Sequence, residues 1–115
     1  MKIIYNKDFI PIIFETLKDF YAVDESILFI ASAKGHKNLA AFRMMFCLIY
    51  KDHTREPATN IMKILGFKST ATSSRYYDAA HKELKINESF KNAYKTVCRL
   101  LNEKYGQNGS NPKLP

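Results

Sequence analysis

The sequence predicts an all-α fold of five to six helices. Apolar residues recur at spacings of three and four along most of the chain, as they do on one face of a helix. No run of alternating apolar and polar residues is bounded by the Asn-Gly or Asp-Gly turns that mark hairpins. Of the four glycines, two fall in the last ten residues, so few backbone breakers interrupt the periodic part. With 115 residues and 46% hydrophobic content, the chain fits one domain with one core.

The first helix is expected from about Phe9 to Tyr21, with Asp8 as its cap, Pro11 in its first turn and a stripe of Ile10, Ile13, Phe14, Leu17 and Phe20. A short second helix follows, capped by Asp24 and carrying Ile27, Leu28 and Ile30. Residues 31–37 (ASAKGHK) then break the pattern as a basic loop. A third helix is expected from an Asn38 cap to about Lys51, burying Leu39, Phe42, Phe46, Ile49 and Tyr50. The fourth is short: Pro57 stands at its start, Ile61, Ile64 and Leu65 form its apolar face, and Gly66 ends it. The fifth begins within residues 69–72 and runs to about Lys85, with Tyr76, Ala80 and Leu84 inward. Asn87 caps the last, whose Phe90, Tyr94, Val97, Cys98, Leu101 and Tyr105 keep helical spacing.

These elements define a domain over residues 1–105. Gly106, Gly109, Ser110, Asn111, Pro112 and Pro115 crowd the remainder, and 106–115 is expected to be a disordered tail. Cys47 and Cys98 lie in apolar helical stretches without a Cys-x-x-Cys or Cys/His cluster beside them, which reads as two reduced core thiols. No run of roughly 18 apolar residues occurs, and the N-terminus has Asp8 and Pro11 within it and no small-residue cleavage site. A soluble, cytoplasmic protein with no membrane partner is expected.

The net charge of +7 is unevenly spread. Residues 1–33 hold three Lys against five acids, residues 34–85 ten Lys/Arg against four, and residues 86–115 five against two. The middle segment, at +6, carries nearly all the excess. Such a patch attracts a polyanion and releases its counterions on binding, which makes nucleic acid the leading partner class.

Residues 58–84 combine a short helix, a turn at Gly66 and a helix whose first turn is rich in hydroxyls between Lys68 and Arg75. This is the composition of a helix-turn-helix. Free backbone N–H groups and hydroxyls at a helix N-terminus donate to phosphate oxygens, and Arg75 or a hydroxyl can reach a base edge in the major groove. The competing reading is a helical hairpin whose serines only cap, with Arg75 paired to Asp78 or Glu83.

From roughly Ile13 to Tyr105 the chain resembles the C-terminal DNA-binding domain of the bacterial replication initiator DnaA, within the Trp-repressor-like group of helix-turn-helix folds. Residues 17–28 (LKDFYAVDESIL) look like that family's opening segment. Residues 34–37 (KGHK) lie where it has a basic loop, 41–50 (AFRMMFCLIY) is similar to the helix carrying its arginine, and 61–66 (IMKILG) matches its short helix. The resemblance implies phosphate or minor-groove contacts from Lys34, Lys37 and Arg43, with His36 joining the loop. It implies a reading edge of Lys68, Ser69, Thr70, Thr72, Ser73, Ser74 and Arg75; Lys82 shares the outward face with Arg75. The family's Asp-His-Thr signature is absent from the recognition helix, where this chain has Ser-Thr-Ala-Thr-Ser-Ser. The triplet Asp52-His53-Thr54 stands elsewhere and reads as coincidence. Without that signature the initiator's own DNA boxes are not implied, and with no Walker motif present neither is its ATP switch.

The expected function is sequence-specific binding of double-stranded DNA, in transcription regulation or replication of a bacterial or mobile-element genome, with no cofactor and no metal. Catalysis is not expected: His36, His53 and His81 are scattered, and the acids are spaced as surface residues. The alternative is a protein-interaction module, with a protein partner or a second copy of the chain meeting Tyr21, Tyr50, Tyr76, Tyr77, Tyr94 and Tyr105.

Overall fold

The computed structural model describes residues 3–107, which form five α-helices: Ile10–Phe20 (α1), Lys37–His53 (α2), Thr59–Leu65 (α3), Thr70–Ile86 (α4) and Glu88–Gln107 (α5). Two 3-10 turns, Lys7–Phe9 and Glu25–Ile27, flank α1. The protein is all-helical among the described residues; extended pairing is limited to one bridge between Tyr5 and Thr54. No described helix is long and apolar enough to cross a membrane.

α2 is the central element. Leu39, Phe42, Met45, Phe46, Cys47, Leu48, Ile49 and Tyr50 are all buried, so its second half is apolar around most of its circumference, as befits a helix enclosed by others. α4 lies along it, α1 and α3 also pack on it, and α5 packs against α4 and α1. α5 buries the stripe Phe90, Val97, Leu101 and Tyr105, with Tyr94 and Cys98 half-buried beside it. Asn87 caps it as expected, its Oδ1 accepting the Phe90 amide at 3.1 Å.

The N-terminal segment is tied down by polar contacts that periodicity does not reveal. Tyr5 donates its amide to the His53 carbonyl at 2.7 Å and its hydroxyl to Asn102 Oδ1 at 2.5 Å. Its ring meets Phe9 and Tyr105 at centroid distances of 4.8 and 5.0 Å. Buried His53 donates Nδ1–H to the Ile3 carbonyl at 3.0 Å, and its Nε2 is 2.8 Å from the Tyr94 hydroxyl. Burial pushes the Tyr5 and Tyr94 hydroxyls well above their ordinary pKa.

Several boundaries differ from the sequence expectation. The second helix is only the turn Glu25–Ile27, too short to propagate. Asp24 does cap it, accepting the Ser26 amide at 2.9 Å, which holds its carboxyl below the usual range. Asp8 sits inside the turn before α1, and α1 starts with no side-chain cap. α2 begins at Lys37, leaving Asn38 within its first turn. Gly106 and Gln107 continue α5, and the rest of the expected tail, 108–115, lies outside the described residues. Both cysteines are free thiols; Cys47 is buried, and desolvation pushes it up to about 12.

Candidate nucleic-acid interface

α3 stops at Gly66, which adopts the left-handed conformation at φ 74° and ψ 26°. The amides of Gly66 and Phe67 both turn back to the Met62 carbonyl, closing the helix end. Phe67 then folds under, its ring stacked on Tyr76 at 5.6 Å between centroids. Ser69, in extended conformation, leads into α4. The short helix, the turn and the long helix of the sequence expectation are therefore present at residues 59–86.

α4 divides its side chains by face. Tyr76, Tyr77, Ala80 and Leu84 pack inward, and Ala71, Ser74, Arg75, Asp78, Lys82 and Lys85 are exposed. Lys68, Ser69 and Thr70 are exposed at its start, and Thr72 is half-buried. Ser73 is a correction: it is 3% exposed, with its Oγ buried and without a hydrogen-bond partner among the described residues. It cannot belong to a reading edge. The spacing held the signal, since Ser73 lies three residues before Tyr76 and seven before Ala80. Arg75 donates to Thr72 Oγ1 at 3.4 Å and, among the described residues, pairs with neither Asp78 nor Glu83.

Arg43 is the larger correction. It is 2% exposed, so it cannot reach a phosphate at the surface. Its Nη2 donates to the Ile30 carbonyl at 2.6 Å and its Nη1 to the Tyr76 hydroxyl at 3.4 Å. The guanidinium carbon stands 5.2 Å from the Phe67 ring centroid and 5.9 Å from that of Tyr76. One side chain thus joins the start of the basic loop, the turn after Gly66 and α4. Arg43 sits four residues after Leu39 and three before Phe46, on the apolar face; that position was legible, but its positive charge directed the sequence reading outward.

This bolt brings the loop against α4. A groove of about 360 Å³ runs between them, lined by Ser32 and Ala33 on one side and by Thr72, Arg75 and Tyr76 on the other. Gly35 takes φ 82°, the His36 amide bonds the Ala33 carbonyl at 2.8 Å, and Ser32 Oγ accepts the Lys34 amide at 3.2 Å. Lys34 and Lys37 are exposed. His36 and Lys37, however, face another groove beside Val23, Asp24 and Ile27. Lys82 lies seven residues beyond Arg75, roughly 10 Å along the helix.

A cluster the sequence reading missed joins α2 to α4. Asp52 accepts the Tyr77 hydroxyl at 2.6 Å and His81 Nε2–H at 3.1 Å, and Lys51 Nζ lies 4.2 Å from the Tyr77 ring centroid. Desolvation and the Asp52 carboxylate push the Tyr77 hydroxyl up to about 12. These contacts clasp α4 to α2. The cluster's signal was Asp52 within the Asp-His-Thr triplet. No group of three metal-binding side chains gathers among the described residues. Of the six tyrosines of the interaction-module alternative, Tyr50 and Tyr105 are buried and Tyr21, Tyr76, Tyr77 and Tyr94 are half-buried.

No protein family, curated protein or solved structure matches the chain.

Proposed function

We propose that the chain binds double-stranded DNA through α3, the Gly66 turn and α4 used as a helix-turn-helix, with the exposed residues at the start of α4 toward the major groove and the loop toward the backbone. The resemblance to the DNA-binding domain of DnaA supports this reading. The observation that carries it is electrostatic: Lys34, Lys37, Lys68, Arg75 and Lys82 are all exposed, within a segment, residues 34–85, that holds ten Lys/Arg against four acids. Of the acids near them, Asp52 is taken up by Tyr77 and His81, and Asp78 is exposed on the α4 face beside Arg75 and Lys82. An exposed excess of cations of this kind is the footprint of a polyanion partner. Lys68, Ser69, Thr70 and Ser74 form the candidate reading edge, and Arg75 stands where that edge meets the loop.

The test is selection from a random duplex pool followed by a salt titration. Enrichment of a site, with affinity falling steeply as salt rises, is the expected result. Absence of retention on any duplex at low salt would overturn the proposal.

A further inference from the structure

Arg43 is a cation enclosed by neutral groups. Among the described residues it forms no ion pair. Its contacts are a carbonyl, a tyrosine hydroxyl and two ring faces. Its Nε has no hydrogen-bond partner there. A buried charge without a counter-charge is costly, and the low dielectric around it extends its field to whatever lies next to it. What lies next to it is the groove between loop and α4. Tyr76, which accepts from Arg43, is one wall of that groove, and the Ile30 carbonyl belongs to the peptide that leads into the loop wall. Arg75 is the charged residue that lines the groove, beside two hydroxyls, Ser32 and Thr72, and no carboxylate lines it. The groove between α1 and α3 differs: Lys7 and Lys63 there are offset by Asp8 and Glu56.

We propose that the groove is the seat of a single phosphate group. Arg75 and the hydroxyls of Ser32 and Thr72 donate to its oxygens, and Arg43 supplies positive charge from below the wall. A guanidinium flanked by hydroxyls suits the tetrahedral acceptor geometry of phosphate. The identity of the ligand rests on the DNA reading, in which the phosphate is a phosphodiester of the duplex backbone; a free phosphate or phosphomonoester shares the same chemistry. Arg75 is then a phosphate contact and not a base reader. Its removal lowers affinity for every duplex and leaves the ranking of sites unchanged.

The experiment titrates the full chain with inorganic phosphate against chloride at matched ionic strength, following amide shifts by NMR, for wild type, Arg75→Ala and, as a control on α5, Lys95→Ala. The expected result is saturable shifts confined to residues 31–33 and 72–76, weakened about tenfold or more in Arg75→Ala and unchanged in Lys95→Ala, with displacement by excess duplex. Shifts that never saturate, or that spread over the surface lysines and persist in Arg75→Ala, overturn the seat. If wild type binds duplex but shows no saturable phosphate site, the seat fails and the DNA reading survives. If phosphate saturates the groove while duplex neither binds nor displaces it, the seat stands, the DNA reading fails, and the ligand is a free phosphate or phosphomonoester.

Discussion

Phe29 lies so close to Gly66 that a Cβ added to the glycine would come within 3.2 Å of Phe29 Cδ1. Gly66 also holds φ +74°, a conformation costing a residue with a Cβ about 1–2 kcal/mol. Gly35 holds φ +82° but faces open space. Gly66→Ala should therefore destabilise the domain more than Gly35→Ala, which should cost only about 1 kcal/mol. Urea denaturation of the two variants checks the order; equal costs would mean that Phe29 moves aside freely.

Arg43→Ala removes a large buried side chain and leaves the Ile30 carbonyl without its donor, at an expected cost of about 3–5 kcal/mol. Arg43→Met keeps most of the volume and removes the unpaired charge. Because neutral replacements of buried charges are often tolerated, Met should be clearly milder than Ala. The comparison is made by denaturant melts. Should Met prove as damaging as Ala, the hydrogen bonds to Ile30 and Tyr76 outweigh both volume and desolvation.

Much of this architecture was legible because burial and periodicity coincide. The α5 stripe of Phe90, Val97, Leu101 and Tyr105, the stop at Gly66 and the Asn87 cap each follow from a local rule. The misreadings occur where a polar residue occupies an apolar face. Arg43 and Ser73 were assigned outward by chemical type although their spacing put them inward. His53, seven residues after Phe46, is a third polar residue on such a face. The attachment of residues 3–6 was invisible for a different reason: it depends on Tyr5, His53 and Asn102, which are far apart in sequence. The pairing of the loop with α4 depends likewise on Arg43 reaching across to Ile30 and Tyr76.

Alkaline pH should unfold the domain through groups that burial keeps protonated. The Cys47 thiol rises from 9.0 to about 12 by desolvation, and the Tyr21 and Tyr77 hydroxyls rise from 10.0 to about 12, chiefly for the same reason. For each, the folded pKa exceeds the unfolded one. Its contribution is complete below the unfolded value and is lost as pH rises toward the folded value. Melting temperature should hold to about pH 9 and then fall through pH 12. Absorbance at a tyrosinate wavelength should show these phenols ionising with unfolding; ionisation in a chain that remains folded would mean that water reaches them.

Lys34 and Lys37 test the loop's part in the proposed function most directly. Both are exposed and neither forms an ion pair among the described residues, so replacing them should leave stability nearly unchanged. They do not stand alike, however. Lys34 follows the residues that line the groove beside Arg75, while Lys37 begins α2 and faces Val23 and Asp24. If the DNA backbone follows the groove, Lys34→Ala should lower the slope of log affinity against log salt by about 0.9, the value for one lost phosphate contact, and Lys37→Ala by less. Neither variant should change which duplex sequences are preferred, because a phosphate contact carries no base information. The slopes are measured on one selected duplex across a salt series, with melting curves confirming that both variants fold. Equal reductions would place the backbone across the whole loop. An undiminished slope in Lys34→Ala would place the backbone away from the groove.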